Sequence, residues 1–162
     1  MKLRTATHDD LGAIVAIHNQ GIAAGTTANL TPHTVAALEA WFDRHKPPSR
    51  PIIVAEIAAT VVGWASLSDY RPGREATRHC AEISYFVDAG HQRQGVATAL
   101  MQEAMDRCED AGITMLLAIL LADNHASIAL LRKFEFQEWG RLPEAVITST
   151  GAIDHLYLGR RV

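Results

Sequence analysis

Met115 to Ala122 is an unbroken run of eight apolar residues, Met-Leu-Leu-Ala-Ile-Leu-Leu-Ala, and it limits the architecture more than any other segment. Eight residues cannot cross a bilayer, which takes about 20 in a helix. A run with no polar alternation is also too apolar for a sheet edge. Met115 to Leu121 therefore reads as a strand buried on both faces. Such a strand needs neighbours on each side and helices above and below it. The 162 residues suffice for one domain, 1–162, that buries roughly two thirds of its unfolded surface without help from a metal or disulfide. Cys80 and Cys108 form no C-x-x-C pair, and Met1-Lys2-Leu3-Arg4 lacks the apolar core of a signal peptide. A reducing cytoplasm is the expected location. The net charge is −3 and the basic residues are scattered, so neither nucleic acid nor a membrane surface is an expected partner.

The rest of the chain reads as elements around that strand. A short strand at Lys2 to Ala6 leads to Thr7 and Asp10, spaced as in a capping box. The following helix carries Leu11, Ile14, Val15 and His18 at helical spacing. Thr31-Pro32 offers an N-cap and a first-turn proline for a second helix to about Arg44, with Val35, Leu38 and Phe42 on one face. Ile52 to Ile57 and Val61 to Leu67 read as paired strands around Ala58-Ala59-Thr60, and Ala81 to Val87 as another strand. A long helix from about Gly95 to Ala111 bears the stripe Val96, Leu100, Ala104 and Cys108, and Gly112 stops it. Asp123-Asn124 cap a helix with Ile128, Leu131 and Phe134. Strands near Gln137 to Leu142 and Ile153 to Leu158 close a mixed α/β sheet.

No G-x-G-x-x-G, Walker A or G-x-S-x-G pattern is present. The eight histidines have no metal-ligand spacing, so no metal site is expected. One segment stands apart: Gly90-His91-Gln92-Arg93-Gln94-Gly95-Val96-Ala97-Thr98, between a strand and a helix. A helix start exposes about four unpaired amides and a positive dipole end. Those donors suit a pyrophosphate, with Gly95 allowing close approach and Arg93 adding charge. The same residues also make a strand–turn–helix corner whose glycine relieves a tight bend. Taken alone, the segment leaves both readings open.

Gln92-x-x-Gly95-x-Ala97 resembles the Q/R-x-x-G-x-G/A loop of the GNAT superfamily of acetyl-CoA-dependent N-acetyltransferases. Asp123-Asn124-His125-Ala126-Ser127-Ile128-Ala129-Leu130 lies about 30 residues on and resembles that superfamily's N-x-x-A segment. Within the superfamily the chain is most similar to the phosphinothricin and methionine sulfoximine N-acetyltransferases. The shared stretches are Thr26-Thr27-Ala28, Thr31-Pro32, Ala40-Trp41-Phe42, Asp69-Tyr70-Arg71-Pro72, Arg78-x-x-x-Glu82 and Asp154.

The resemblance implies a GNAT-type fold: a mixed, mostly antiparallel, splayed sheet flanked by helices. It implies direct transfer of acetyl from acetyl-CoA to a primary amine of a small molecule, an amino-acid analogue, by a homodimer. Gln92, Arg93, Gln94, Gly95, Val96, Ala97 and Thr98 would cradle the pyrophosphate. The backbone of Tyr85, Phe86 and Val87 would pair with the pantetheine arm and supply an oxyanion donor. Asn124 would hydrogen-bond that arm, or serve as a plain N-cap. Glu82 would be the general base; its other reading is a salt bridge to Arg78. Arg71 and Arg78, with Pro72, Gly73 and Ser84, would meet the acceptor, unless the two arginines are only solvated loop charge.

The chain also departs from the family pattern. Leu131 stands where the phosphinothricin group has a histidine and many members a tyrosine, so no general acid is expected there. Glu135-Phe136 replaces Gly-Phe, Thr77 replaces an aromatic residue, and the segment after Ala28 is short, reduced to Asn29-Leu30. The cofactor half looks intact and the amine half remodelled. Two other functions fit the same resemblance: acetylation of protein lysines or N-termini, and acyl-CoA sensing without catalysis.

Overall fold

The computed structural model describes residues 1–162. Seven strands form one sheet in the order β1-β2-β3-β4-β5-β7-β6. They are β1 (Lys2–Thr5), β2 (Ile52–Ile57), β3 (Thr60–Asp69), β4 (Cys80–Val87), β5 (Met115–Leu121), β6 (Gln137–Thr148) and β7 (Gly151–Arg161). Only β4 and β5 run parallel. The helices are α1 (Leu11–Ala23), α2 (Val35–Arg44), α3 (Val96–Asp106) and α4 (His125–Lys133). The apolar run forms β5, paired with β4 on one side and β7 on the other. It is the fold expected from the resemblance.

Period-two alternation supplies both faces of the sheet. In β2, Ile53 and Ala55 enter a core with Leu100, Met101 and Ala104 of α3, while Ile52 and Val54 pack with Ile14 and Ile17 of α1. The predicted stripe of α3 is buried: Val96, Leu100, Ala104 and Cys108 are each 2% exposed or less. α3 comes close to β3 because Gly63 leaves room; a Cβ there would lie 3.0 Å from Val96 and 3.1 Å from Leu100.

Several boundaries differ from the sequence expectation. α2 begins at Val35, not after Thr31-Pro32, with Thr34 Oγ1 accepting from the Ala37 amide. Asn19 is the cause: it bonds both the N–H and the C=O of His33, at 2.8 and 2.9 Å. That holds His33 out of the helix. Val35 is exposed, and the face that packs is Leu38, Trp41 and Phe42. α3 ends at Asp106; turns carry the chain on to Gly112, whose φ is +65°. The β2–β3 hairpin turns at Ala58 and Ala59, both with positive φ, the backbone of a two-residue hairpin turn usually built with Asn-Gly. β6 and β7 are longer than the patterns suggested.

Candidate active site

β4 and β5 are in register only over Cys80↔Met115, Ala81↔Leu116 and Glu82↔Leu117. Beyond Glu82 the strands diverge. β4 continues to Val87, paired with β3 alone. Backbone groups on its other edge then have no strand partner, as at the exposed edge of a sheet. A cleft of about 910 Å³ opens at this splay, between α3 and α4 on one side and α1 and α2 on the other.

The loop after β4 ends at the start of α3, and its shape follows from local hydrogen bonds. Asp88 Oδ1 accepts from the Gly90 amide at 3.0 Å and meets His91 Nδ1 at 2.7 Å. Its Oδ2 accepts from Gln20 Nε2 at 2.8 Å, and Gln20 Oε1 accepts from the Ala89 amide. Held first by Gln20 and then by His91, the Asp88 carboxyl stays below its usual range. Arg93 and Gly95 both take positive φ, +60° and +84°. Gly95 is the N-cap of α3 and gives no side-chain cap. The amides of Gly95 to Thr98 accordingly have no acceptor within the chain. A Cβ on Gly95 would meet no atom within 4 Å, so the start of α3 is open at this glycine.

The cleft lining brings together Glu82, Ser84, Tyr85, Phe86, Val87, Gln92, Arg93, Gly95, Val96, Ala97, Thr98 and Asn124. Gln94 is not among them; its side chain turns back to the Gly90 carbonyl. Asn124 is the N-cap of α4, accepting from Ser127 at 3.2 Å, and its Nδ2 lies 3.3 Å from the Thr26 carbonyl. The capping role is thus visible in the structure. Arg71, Pro72, Gly73 and Arg78 are exposed and outside the lining. Arg71 stacks over Tyr70, with 5.6 Å from guanidinium to ring centroid. The Arg78 carbonyl accepts from Arg50 and its amide donates to the Glu75 carbonyl, while its guanidinium has no partner.

Glu82 is half-buried with no hydrogen-bond or ion-pair partner, and burial alone pushes its carboxyl above the ordinary value. The salt bridge to Arg78 is not formed. Glu82, Ser84 and Phe86 share the α1/α2 face of β4, whereas Ile83, Tyr85 and Val87 pack toward α3. The Tyr85 hydroxyl is buried without a partner, and burial raises it to about 12. Ser66 Oγ, also in the lining, is buried and unpartnered too. Leu131 is core, 1% exposed. Cys80 is buried, with its thiol 3.6 Å from the Met115 sulfur and outside the lining.

The acceptor side also contains His18, which the sequence pattern places on a helix stripe, and Trp41 and Trp64, to which it assigns no site role. His18 lies 4.6 Å from Phe86, 5.9 Å from Trp64 and 5.2 Å from His33, measured between ring centroids. Trp64 and Phe86 stack at 5.0 Å, and Trp41 meets Trp64 edge-on at 5.7 Å. These side chains come from four elements, α1, α2, β3 and β4, with His33 in the loop before α2. The one available signal was His18 within an otherwise apolar helical stripe.

A carboxyl raised by burial, a free strand edge and a bare helix start thus meet in one cleft. Comparison with known proteins agrees with this arrangement. The acetyltransferase (GNAT) family model matches residues 10–136. YwnH of Bacillus subtilis (strain 168), a candidate phosphinothricin acetyltransferase, is 37% identical over 100% of this chain and 99% of its own. The L-methionine sulfoximine/L-methionine sulfone acetyltransferase of Pseudomonas aeruginosa (strain PAO1) is 36% identical over 88% of this chain and 83% of its own. A GNAT superfamily phosphinothricin acetyltransferase from Sinorhizobium meliloti, solved in complex with acetyl-CoA, superposes with a TM-score of 0.93 at 26% identity, covering 99% of this chain and 88% of that one. The free β4 edge, the bare start of α3 and these matches lead to one conclusion: the chain is an acetyltransferase of the GNAT family.

Proposed function

We propose that residues 1–162 form a single GNAT domain that acetylates the primary amine of a small amino-acid analogue, using acetyl-CoA and no acyl-enzyme. The observation that carries this reading is the meeting, in one cleft, of the free β4 edge, the uncapped amides of α3 and the unpaired carboxylate of Glu82. When bound, acetyl-CoA supplies an activated acyl group and a thiol leaving group of pKa about 8.5. The residues present fit it. The amides of Gly95, Val96, Ala97 and Thr98 donate to a pyrophosphate, and Gln92 and Arg93 flank it. The edge of β4 at Tyr85, Phe86 and Val87 pairs with an amide-bearing arm as an added strand would. Asn124 adds a side-chain amide while it caps α4.

Glu82 takes a proton from the incoming ammonium. An alkyl ammonium of pKa near 10.4 is neutral in only about one molecule in 10³ at pH 7, which costs roughly 4–5 kcal/mol. A base held above the ordinary carboxylate range by burial is better matched to that proton than a solvated one. Ser84, on the same face, and the wall of His18, Trp41, Trp64 and Phe86 line the space for the acceptor body. Acceptor recognition is assigned to these residues and not to Arg71, Pro72, Gly73 or Arg78.

Two further parts of the reading rest on the family and on composition. A homodimer would cover Trp139, Leu142 and Ile147, apolar side chains exposed on the edge strand β6 at 44%, 46% and 67%. Two free, buried cysteines suit the cytoplasm. The test is calorimetric titration with acetyl-CoA, then an amine panel followed by thiol release. Acetyl-CoA binding with thiol release on small amines supports the proposal. Binding without release on any amine, or release only with protein substrates, overturns it.

A further inference from the structure

Acetylating an ammonium liberates a proton that the site must dispose of. As the N–C bond forms and the C–S bond breaks, the nitrogen loses two protons. One ends on the departing thiolate and the other goes to solvent, by way of Glu82 in the reading above. With acceptor and acetyl-CoA in place, the mouth of the cleft is filled. Glu82 must nevertheless be unprotonated before the next turnover.

The β3–β4 register supplies a way out. Ser68 is the Cα partner of Glu82 in the antiparallel pair, so the two side chains stand on the same face of neighbouring strands. Directly opposed residues hold their Cβ atoms about 4.5–5.5 Å apart, a gap that a side-chain turn or one water closes. On its other side Ser68 Oγ lies 3.0 Å from His45 Nε2. His45 is the C-cap of α2, half-buried, and its Nδ1 sits 2.8 Å from the Trp41 carbonyl. A carbonyl only accepts, so Nδ1 carries the hydrogen and Nε2 presents its lone pair to the serine hydroxyl. The three groups are therefore polarised in one direction, from carboxyl to hydroxyl to imidazole.

We propose that Ser68 and His45 form a proton exit for Glu82, leading behind the acceptor pocket to the surface at the end of α2. The proposal rests on Glu82 being the base. The Glu82 proton passes to Ser68 Oγ while the serine's own proton passes to His45 Nε2. The imidazolium then sheds its Nε2 proton to water and the serine hydroxyl rotates back toward Nε2, which resets the wire with Nδ1 still protonated. Nothing is oxidised, and one proton leaves per turnover. The charged groups around His45 are Arg44 on α2, Arg50 on the following loop and Asp69 at the end of β3. Arg50 and Asp69 pair with each other at 2.6 Å, which leaves the positive charge of Arg44 uncompensated. Burial holds the imidazole below its usual range, so it stands neutral and ready to accept. Both residues are positioning residues here, since neither touches the substrate.

The test pairs a static readout with a kinetic one. In the protein alone, the imidazole ¹⁵N shifts of His45 at pH 8 should report the Nδ1–H tautomer; the Nε2–H tautomer would overturn the proposal. Ser68→Ala and His45→Gln should each slow proton release to a pH dye and lower kcat about tenfold. The KM of the amine should stay within twofold, and the double variant should be no worse than either single one. Imidazole added to His45→Ala should restore part of kcat. Unchanged kcat and proton release, or losses that add in the double variant and follow a raised KM and lowered Tm, would reduce the pair to a structural contact. Glu82→Gln, run alongside, separates the two ideas. If it alone abolishes turnover, the base stands and the exit falls; if it leaves turnover intact, the base reading fails.

Discussion

The two halves of the cleft are built from different materials. The half toward α3 is mostly backbone: the unpartnered edge of β4, the first amides of a helix, and the positive φ of Arg93 and Gly95. α3 itself is anchored by Val96, Leu100, Met101 and Ala104, all buried. The half toward α2 is mostly side chain, with rings from α1, α2, β3 and β4 around Glu82 and Ser84. α2 has no fully buried residue, and the segment before it is held to α1 by the two Asn19–His33 hydrogen bonds and the His18–His33 ring contact. Backbone recognition tolerates sequence change as long as the strand–turn–helix corner survives. A pocket made of side chains changes with each substitution. Of the departures from the family pattern, Asn29 of the short segment lines the cleft, Leu131 belongs to the core shared with α3, and Thr77 lies outside the lining.

The largest effect should come where the halves meet. Glu82→Gln should lower kcat by about 10²–10⁴ at neutral pH and leave the affinity for acetyl-CoA unchanged by calorimetry. A matching loss of acetyl-CoA affinity would mean that the halves are not separable. Gly95→Val tests the other side. Its φ of +84° strains any branched residue, and its side chain would enter the space before the amides. We expect acetyl-CoA to bind at least tenfold more weakly, about 1.4 kcal/mol, while circular dichroism and the KM for the amine stay near wild type.

The acceptor half can be probed with substrates instead of mutations. Asn29 of the short segment after Ala28 lines the cleft, Thr77 lies outside it, and no Lys or Arg lines its acceptor side. Compact zwitterions such as phosphinothricin and methionine sulfoximine should show kcat/KM several-fold below that of a bulkier amine with an aromatic or apolar body. One lost apolar contact is worth about 1–3 kcal/mol, enough for that ranking. A phosphinothricin value equal to or above all others in the panel would show that the loop does not set specificity.

The smallest effect concerns stability. Burial raises the Glu82 carboxyl in the folded state, so the native protein binds that proton more tightly than the unfolded chain does. Its contribution is therefore most favourable below the unfolded value of about 4.3 and declines as pH rises through the folded value. At pH 8, Glu82→Gln should raise Tm by roughly 2–4 °C, about 1 kcal/mol for a domain of this size. At pH 4 the gain should vanish. An equal gain at both values would mean that desolvation of the charge is not its source.

The parts of the molecule legible beforehand are those decided within about ten residues. The apolar run became the central β5, the stripe of α3 became core, and the Gly90 to Thr98 corner became the bare helix start. The start of α2 was misplaced because Asn19, 14 residues before His33, overrides the local Thr-Pro signal. The loop-shaping role of Asp88 likewise depends on Gln20, 68 residues away.

By itself, then, the chain determined its strands, its two well-packed helices and the strand–turn–helix corner from Gly90 to Thr98, because alternation, helical period and turn chemistry act locally. Only the tertiary structure decided that β4 and β5 part after Glu82 and that Glu82 is left without Arg78. It also decided that His18, Trp41, Trp64 and Phe86 close on one pocket, and that Ser68 and His45 stand behind the carboxylate. Those outcomes depend on strand register and on helix packing across the sheet, which no single segment contains.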